Sequence, residues 1–144
     1  MNVSDILKSK GSRVLTIKPN ETIAALSRLL QANRVGAVVV SHNGRTIDGI
    51  ISERDIAYSL AERRGDLHLL QVSALMTKQV VTCSPDDSLN EAALMMSQRR
   101  VRHLPVNADG QLAGIISLRD VLEYRLNTLE RRSAVLQAYV LDQD

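Results

Sequence analysis

The chain contains no phenylalanine and no tryptophan, and its aromatic residues amount to three tyrosines in 144 positions. That absence excludes a nucleic-acid platform built on interleaved stacking aromatics and leaves core packing to Leu, Val, Ile and Ala. A single cysteine, Cys83, cannot staple a fold. With His42, His68 and His103 scattered along the chain, it makes no metal-ligand spacing, so no metal is expected and a reducing compartment follows. No segment approaches the roughly 18 uninterrupted apolar residues of a membrane span. The opening Met1-Asn2-Val3-Ser4-Asp5-Ile6 has no basic stretch leading into an apolar run, and a cytoplasmic protein with no membrane partner is expected. An excess of one charge is also lacking: 18 Lys plus Arg against 16 Asp plus Glu leave a formal +2, too even to argue for nucleic acid as a partner.

What the sequence does have is an internal repeat. Val14-Leu15-Thr16-Ile17-Lys18-Pro19 aligns with Val80-Val81-Thr82-Cys83-Ser84-Pro85, and Arg34-Val35 with Arg100-Val101. Gly49-Ile50-Ile51-Ser52-Glu53-Arg54-Asp55-Ile56 aligns with Gly114-Ile115-Ile116-Ser117-Leu118-Arg119-Asp120-Val121. Upstream, Val3-Ser4-Asp5-Ile6-Leu7 resembles Val72-Ser73-Ala74-Leu75-Met76. A period of about 65 residues is too long for a solenoid unit, so two copies of a small supersecondary unit account for it.

Within each copy the element order is legible. Ile23, Leu26 and Leu30 recur at helical spacing after Thr22, as do Leu89, Ala92, Ala93 and Met96 after Ser88, and Ser88 with Glu91 forms a capping box. Gly36 to Val40 and His103 to Val106 read as strands ending at the turns Asn43-Gly44 and Asp109-Gly110. Ile47 to Ile51 and Leu112 to Ile116 follow as their hairpin partners. A second helix starts at Ser52 or Ser117. Each copy is thus βαββα, too thin to bury its helices and sheet alone, and an α+β protein of two copies packed about a pseudo-twofold axis is expected.

The expected partition is a first repeat over 1–64, a linker over 65–71, a second repeat over 72–126 and a helical tail over 127–144. Arg63-Arg64-Gly65-Asp66 reads as the helix stop of the first copy. In the tail, Leu122, Leu126, Leu129, Leu136 and Val140 alternate in steps of four and three with Ser133 filling the gap. This is either a short heptad stripe or one long helix covering its own core.

The repeated Ser-x-Arg-Asp stands at the strand-to-helix junction. Ser52 and Ser117 fit N-cap positions, with Asp55 and Asp120 three residues on as capping-box acids. The same junction suits a ligand, because exposed amides at a helix start attract anions and a hydroxyl with a carboxylate suits ribose hydroxyls.

Met76-Thr77 with Val81-Thr82-Cys83-Ser84-Pro85, Val101-Arg102-His103-Leu104-Pro105-Val106 and the two Gly-Ile-Ile-Ser-x-Arg-Asp runs together resemble the tandem cystathionine-β-synthase (CBS) domains. These are the regulatory Bateman modules found in inosine-monophosphate dehydrogenase and in the gamma subunit of AMP-activated protein kinase. The resemblance covers essentially residues 3 to 125. It implies two clefts between the repeats, each taking an adenosine-type ligand such as AMP, ATP, NAD(H) or S-adenosylmethionine. It further implies Ser52, Arg54 and Asp55 in one cleft, completed by Thr82, Arg102, His103 and Pro105. Ser117, Arg119 and Asp120 would lie in the other, completed by Thr16, Gly36, Ala37 and Val39. Arg102 and His103 are then the phosphate candidates, while Gly36 and Ala37 bring no charge to the second cleft.

Guanidinium geometry suits phosphate oxygens independently of any family. Without Phe or Trp, adenine would lie between aliphatic side chains such as Val39, Ile50 or Ile115. No nucleophile elbow, phosphate loop or metal spacing accompanies His103 and Asp55, so no catalytic residues are expected. The expectation is a homodimeric ligand sensor acting on a regulated protein partner; the alternative is an interaction module with vestigial clefts.

Overall fold

The computed structural model describes residues 1–11, 14–63 and 65–142. In chain order the elements are α1 (Val3–Lys10), β1 (Thr16–Ile17), α2 (Ile23–Asn33), β2 (Ala37–Val40), β3 (Gly49–Ser52) and α3 (Glu53–Glu62), then a 3₁₀ turn over Leu67–Leu69. The second half holds α4 (Val72–Leu75), α5 (Leu89–Arg99), β4 (His103–Ala108), β5 (Gln111–Ser117) and α6 (Leu118–Asp142). The chain is therefore α+β, with two βαββα units and a long C-terminal helix. Of the expected helix stop at residues 63–66, Arg64 lies outside the described residues; Arg63 has left helical geometry at φ −114°, ψ 140°.

β1 pairs parallel with β2, and β2 antiparallel with β3. In the second unit β4 pairs antiparallel with β5, and the counterpart of β1 shrinks to one parallel bridge between Cys83 and Val106. The β4–β5 turn uses Asp109 (φ 52°) and Gly110 (φ 81°), the two positive-φ residues that a tight hairpin of the right twist requires. α2 and α5 both end on an arginine in the left-handed region, Arg34 (φ 53°) and Arg100 (φ 55°). This backbone reversal turns each helix directly into its following strand.

Two aliphatic cores form, and each borrows a helix from the other half of the chain. Ile17, Ile23, Leu26, Leu30, Val38, Val40 and Ile51 of the first unit enclose Val72 of α4, and Leu75 and Met76 pack against them. Cys83, Leu89, Ala92, Met96, Leu104, Val106, Ile116 and Val121 enclose Val3 and Ile6 of α1, with Leu7 against them. The seats are equivalent. Val3 N donates to Asp87 O (2.9 Å) and Ser4 N to Pro85 O (3.0 Å), while Val72 N donates to Glu21 O (2.8 Å) and Ser73 N to Pro19 O (3.0 Å). Packing thus crosses the 1–64 and 72–126 partition: the segment before each repeat completes the other repeat's core. Full burial of each Val or Ile is worth about 1.5–3 kcal/mol, so neither unit is complete without its neighbour's helix.

α6 belongs to the second core only at its start. Val121 is 4% exposed, whereas Leu122, Leu126, Leu129, Leu136 and Val140 are all more than half exposed. Of the two readings of the tail, a helix covering its own core does not describe this stripe.

Candidate functional site

The sharp turn from β3 into α3 is fixed by reciprocal capping. Ser52 N donates to Asp55 Oδ2 (2.8 Å), Ser52 Oγ donates to the same oxygen (3.1 Å), and Asp55 N donates to Ser52 Oγ (3.4 Å). The turn from β5 into α6 repeats this, with Ser117 N to Asp120 Oδ2 at 2.8 Å and Asp120 N to Ser117 Oγ at 3.0 Å. The capping role is therefore real at both junctions, and each box is worth about 1 kcal/mol. Among the described residues, the hydrogen bonds of the Asp55 carboxylate all fall on Oδ2, which leaves Oδ1 for a ligand.

Beside the first junction lies a cleft of about 580 Å³, within the size range of small-molecule and cofactor sites. Of the residues expected at a ligand site, Gly36, Ala37, Ser52, Arg54, Asp55, Arg102 and His103 line it. Gly36 and Ala37, expected in the opposite cleft, share this one because the start of β2 runs beside β3, with Ala37 opposite Ser52 in the ladder. Ile50, Val80, Val81 and Val101 give the cleft its apolar walls, and of the aliphatic contacts expected for adenine it contains Ile50.

The remaining expected residues lie elsewhere. Val39 is fully buried between β1 and β3, paired with Thr16 and Ile50. Pro105 is buried in β4, where its carbonyl accepts from Cys83 N at 3.0 Å. Thr82 is half-buried one residue before the Cys83 bridge and outside the cleft lining. Ser117 and Asp120 stand at the second junction, together with Ile115 in β5. Arg119 is solvent-exposed there, its Nε donating to Glu123 Oε1 at 3.0 Å.

Electrostatics set the two sides of the cleft apart. Arg54, Glu53 and Asp55 of the α3 start and Arg100 and Arg102 of the second repeat all line it. Gly36 holds open a narrow gap, since a Cβ there would lie 3.2 Å from Glu53 Oε1 and 3.6 Å from His103 Cε1. Burial is the main cause that lowers the pKa of His103. Lys10 and Arg102 push it the same way, against Asp120 and Glu53. Desolvation thus favours the neutral imidazole over its charged form. Cys83 is buried, and desolvation, followed by the nearby Asp87 carboxylate, pushes its thiol up to about 12. A thiol so shifted is no nucleophile.

Glu53 and Gln79 also line the cleft, as do Thr77 and Arg100 of the repeated motifs. Glu53 was discoverable: it is the position where the two Gly-Ile-Ile-Ser runs differ, Glu53 against Leu118. Among the described residues no cluster of His, Cys, Asp and Glu is arranged to hold a metal ion. No helix among the described residues is long and apolar enough to cross a membrane.

The comparison with known proteins agrees with this geometry. The CBS domain family model matches residues 3–62 and 72–127. The CBS domain-containing protein YhcV of Bacillus subtilis is 29% identical over 133 residues, covering 92% of this chain and 94% of its own. The crystal structure of the CBS-domain containing protein ATU1752 from Agrobacterium tumefaciens superposes with a TM-score of 0.82 at 37% identity, covering 87% of this chain and 99% of that one. The CBS domain pair of protein MJ0100, solved in complex with 5′-methylthioadenosine and S-adenosyl-L-methionine, shares the fold at TM-score 0.76 and 24% identity, over 86% of this chain and 98% of that chain. Two matched repeats, two exchanged helices and a capped Ser-x-Arg-Asp at each junction identify the chain as a tandem pair of the CBS domain family.

Proposed function

We propose that the cleft between the repeats binds an adenosine-type ligand and that the protein is a non-catalytic regulatory module reporting that ligand's presence. The observation that carries this reading is the opposition, across about 580 Å³, of the Ser52–Asp55 pair on one repeat and Arg102–His103 on the other. Asp55 Oδ1 and the Ser52 hydroxyl suit a ribose diol, Arg102 and His103 suit a phosphate, and Ile50, Val80 and Val81 offer aliphatic faces to a base. A ligand held from both repeats binds better to one relative placement of them than to another, which is the requirement for a sensor. The adenosyl ligands of the MJ0100 pair support this class, and AMP, ATP, NAD(H) and S-adenosylmethionine are its members to test.

The exposed stripe of α6 fits a second copy of the chain. Arg125 and Arg132 flank it on one side, Glu123 and Glu130 on the other, so a parallel partner helix brings Arg125 opposite Glu130. The homodimer places two sensors side by side, where a regulated protein can read both.

Calorimetric titration with AMP, ADP, ATP, NAD(H) and S-adenosylmethionine tests the reading. Saturable binding of at least one is expected, and no binding by any of them at millimolar concentration refutes it.

A further inference from the structure

The two strand-to-helix junctions share a backbone and differ at one side chain that the turn does not need. Glu53 N donates to Gly36 O and Leu118 N to Arg102 O, both at 2.9 Å, so Glu53 beside Gly36 stands where Leu118 beside Arg102 stands in the other copy. The capping box of Ser52 and Asp55 uses no atom of the Glu53 side chain. The counterpart box of Ser117 and Asp120 forms around a leucine. The carboxylate of Glu53 is therefore not a requirement of the fold at this position.

Its place is in the cleft. Glu53 lines it together with Arg102 and His103, and the missing side chain of Gly36 leaves the room: a Cβ there would lie 3.2 Å from Glu53 Oε1 and 3.6 Å from His103 Cε1. Carboxylate and imidazole thus border one glycine gap, at the end of the cleft that suits a phosphate. Burial lowers the His103 pKa, and Glu53 is one of the charges that oppose it. Among the described residues no arginine, lysine or histidine forms an ion pair with Glu53, so its charge is not cancelled where it stands. Across the lining as a whole, Arg54, Arg100 and Arg102 against Glu53 and Asp55 leave a single positive charge in excess. That excess suits one phosphate. Each further phosphate adds negative charge beside an unpaired carboxylate, and like charges at this range repel.

We propose that Glu53 is a specificity-determining residue, whose carboxylate limits the cleft to adenosine ligands carrying a single phosphate and turns away di- and triphosphates. The proposal rests on reading the cleft as an adenosine-ligand site. Selection by repulsion needs no additional contact with the favoured ligand. Ser52, Asp55, Arg102 and His103 offer the same groups to every ligand of the class, and Glu53 sets how long a phosphate chain they accept.

Titration calorimetry of the full chain with AMP, ADP and ATP tests this, in metal-free buffer with EDTA and at matched ionic strength, on the wild type, Glu53→Gln and Glu53→Asp. Thermal melts confirm that each variant is folded. Wild-type affinity is expected to fall from AMP to ADP to ATP. Glu53→Gln should raise ATP affinity about tenfold relative to AMP, the scale of one carboxylate acting on the added phosphates across a few ångströms of largely aqueous cleft. Glu53→Asp should keep the wild-type order. A wild type that binds ATP as tightly as AMP or tighter overturns the proposal. So does a Glu53→Gln variant with a lowered melting temperature and an unchanged AMP-to-ATP ratio, which assigns Glu53 to the helix dipole alone. Binding of NAD(H) or S-adenosylmethionine with none of the three nucleotides overturns it while leaving the adenosine-ligand reading intact. A wild type that binds no adenosyl ligand at all removes both together.

Discussion

Leu7 and Gly114 are in such close contact that a Cβ on Gly114 would stand 2.6 Å from Leu7 Cδ2. The equivalent contact in the other core, between Met76 and Gly49, is tighter in a different way. A Cβ on Gly49 would meet Met76 Sδ at 2.8 Å and the backbone carbonyl of Thr77 at 3.0 Å, and that carbonyl accepts from Ile50 N. A leucine methyl can turn aside; a carbonyl held in a bridge cannot. Gly49→Ala should therefore destabilise the protein by about 1–3 kcal/mol, and Gly114→Ala by less. Denaturant unfolding of the two variants measures the difference, and Leu7→Ala should offset the cost of Gly114→Ala.

Asp55 has two roles, and one substitution separates them. Asp55→Asn keeps an oxygen acceptor for Ser52 N but removes the carboxylate. A small loss of thermal stability is expected together with about a tenfold to hundredfold loss of nucleotide affinity, the range for a hydrogen bond to a charged group. A large fall in melting temperature with unchanged affinity would assign Asp55 to capping alone.

How much of this was legible in the sequence differs by feature. The βαββα order, the capping boxes and the hairpin turns follow from local residue patterns, and the elements formed where their patterns lay except the first strand of the second copy, which shrinks to the Cys83–Val106 bridge. The exchange of α1 and α4 was not legible. Val3-Ser4-Asp5-Ile6 and Val72-Ser73-Ala74-Leu75 carry the same periodicity, and either core accepts an aliphatic pair; only the seats at Pro19 and Pro85 distinguish them. The site was half legible. Ser52, Asp55, Arg102 and His103 announced themselves by repetition and charge. Gly36 and Ala37 fell on the other side of the expected division because ladder register, which one sequence does not display, decides which cleft they line.

Cys83 should be inert in the native state. With its thiol shifted from 9.0 to about 12, its thiolate fraction near neutral pH is lower on the order of 1000-fold. Reaction with an aromatic disulfide reagent is expected only after denaturation. Fast labelling of the folded protein would contradict the burial of the Cys83–Val106 bridge.

His103 makes stability pH-dependent. Its folded pKa lies below the unfolded value of about 6.5, so below that pH the unfolded chain binds the proton more readily and stability falls as pH drops. The contribution is fully present above the unfolded pKa. His103→Gln should flatten the decline between pH 7.5 and 5.5, compared by denaturation midpoints at matched ionic strength. Parallel curves for wild type and variant would show that His103 does not titrate with unfolding.

Truncation after Leu126 removes Leu129, Leu136 and Val140 of the exposed stripe and leaves Val121 in place. The dimer fraction measured by light scattering should fall while the thermal transition of the repeats is kept. An unchanged mass would reject this helix as the dimer contact.

The exchanged helices also order events during synthesis. α1 is made before either repeat, yet its seat on the Pro85 turn and its place against Ile116 exist only once β5 has followed. The first core, conversely, waits for Val72. Contacts that span this much chain are slow to form, and an emerging first repeat lacks the helix that seals it until the second repeat has begun. The pair consequently matures as one event once the second repeat has been made, and a nascent chain halted between the repeats exposes an unsealed apolar groove to whatever handles unfinished proteins.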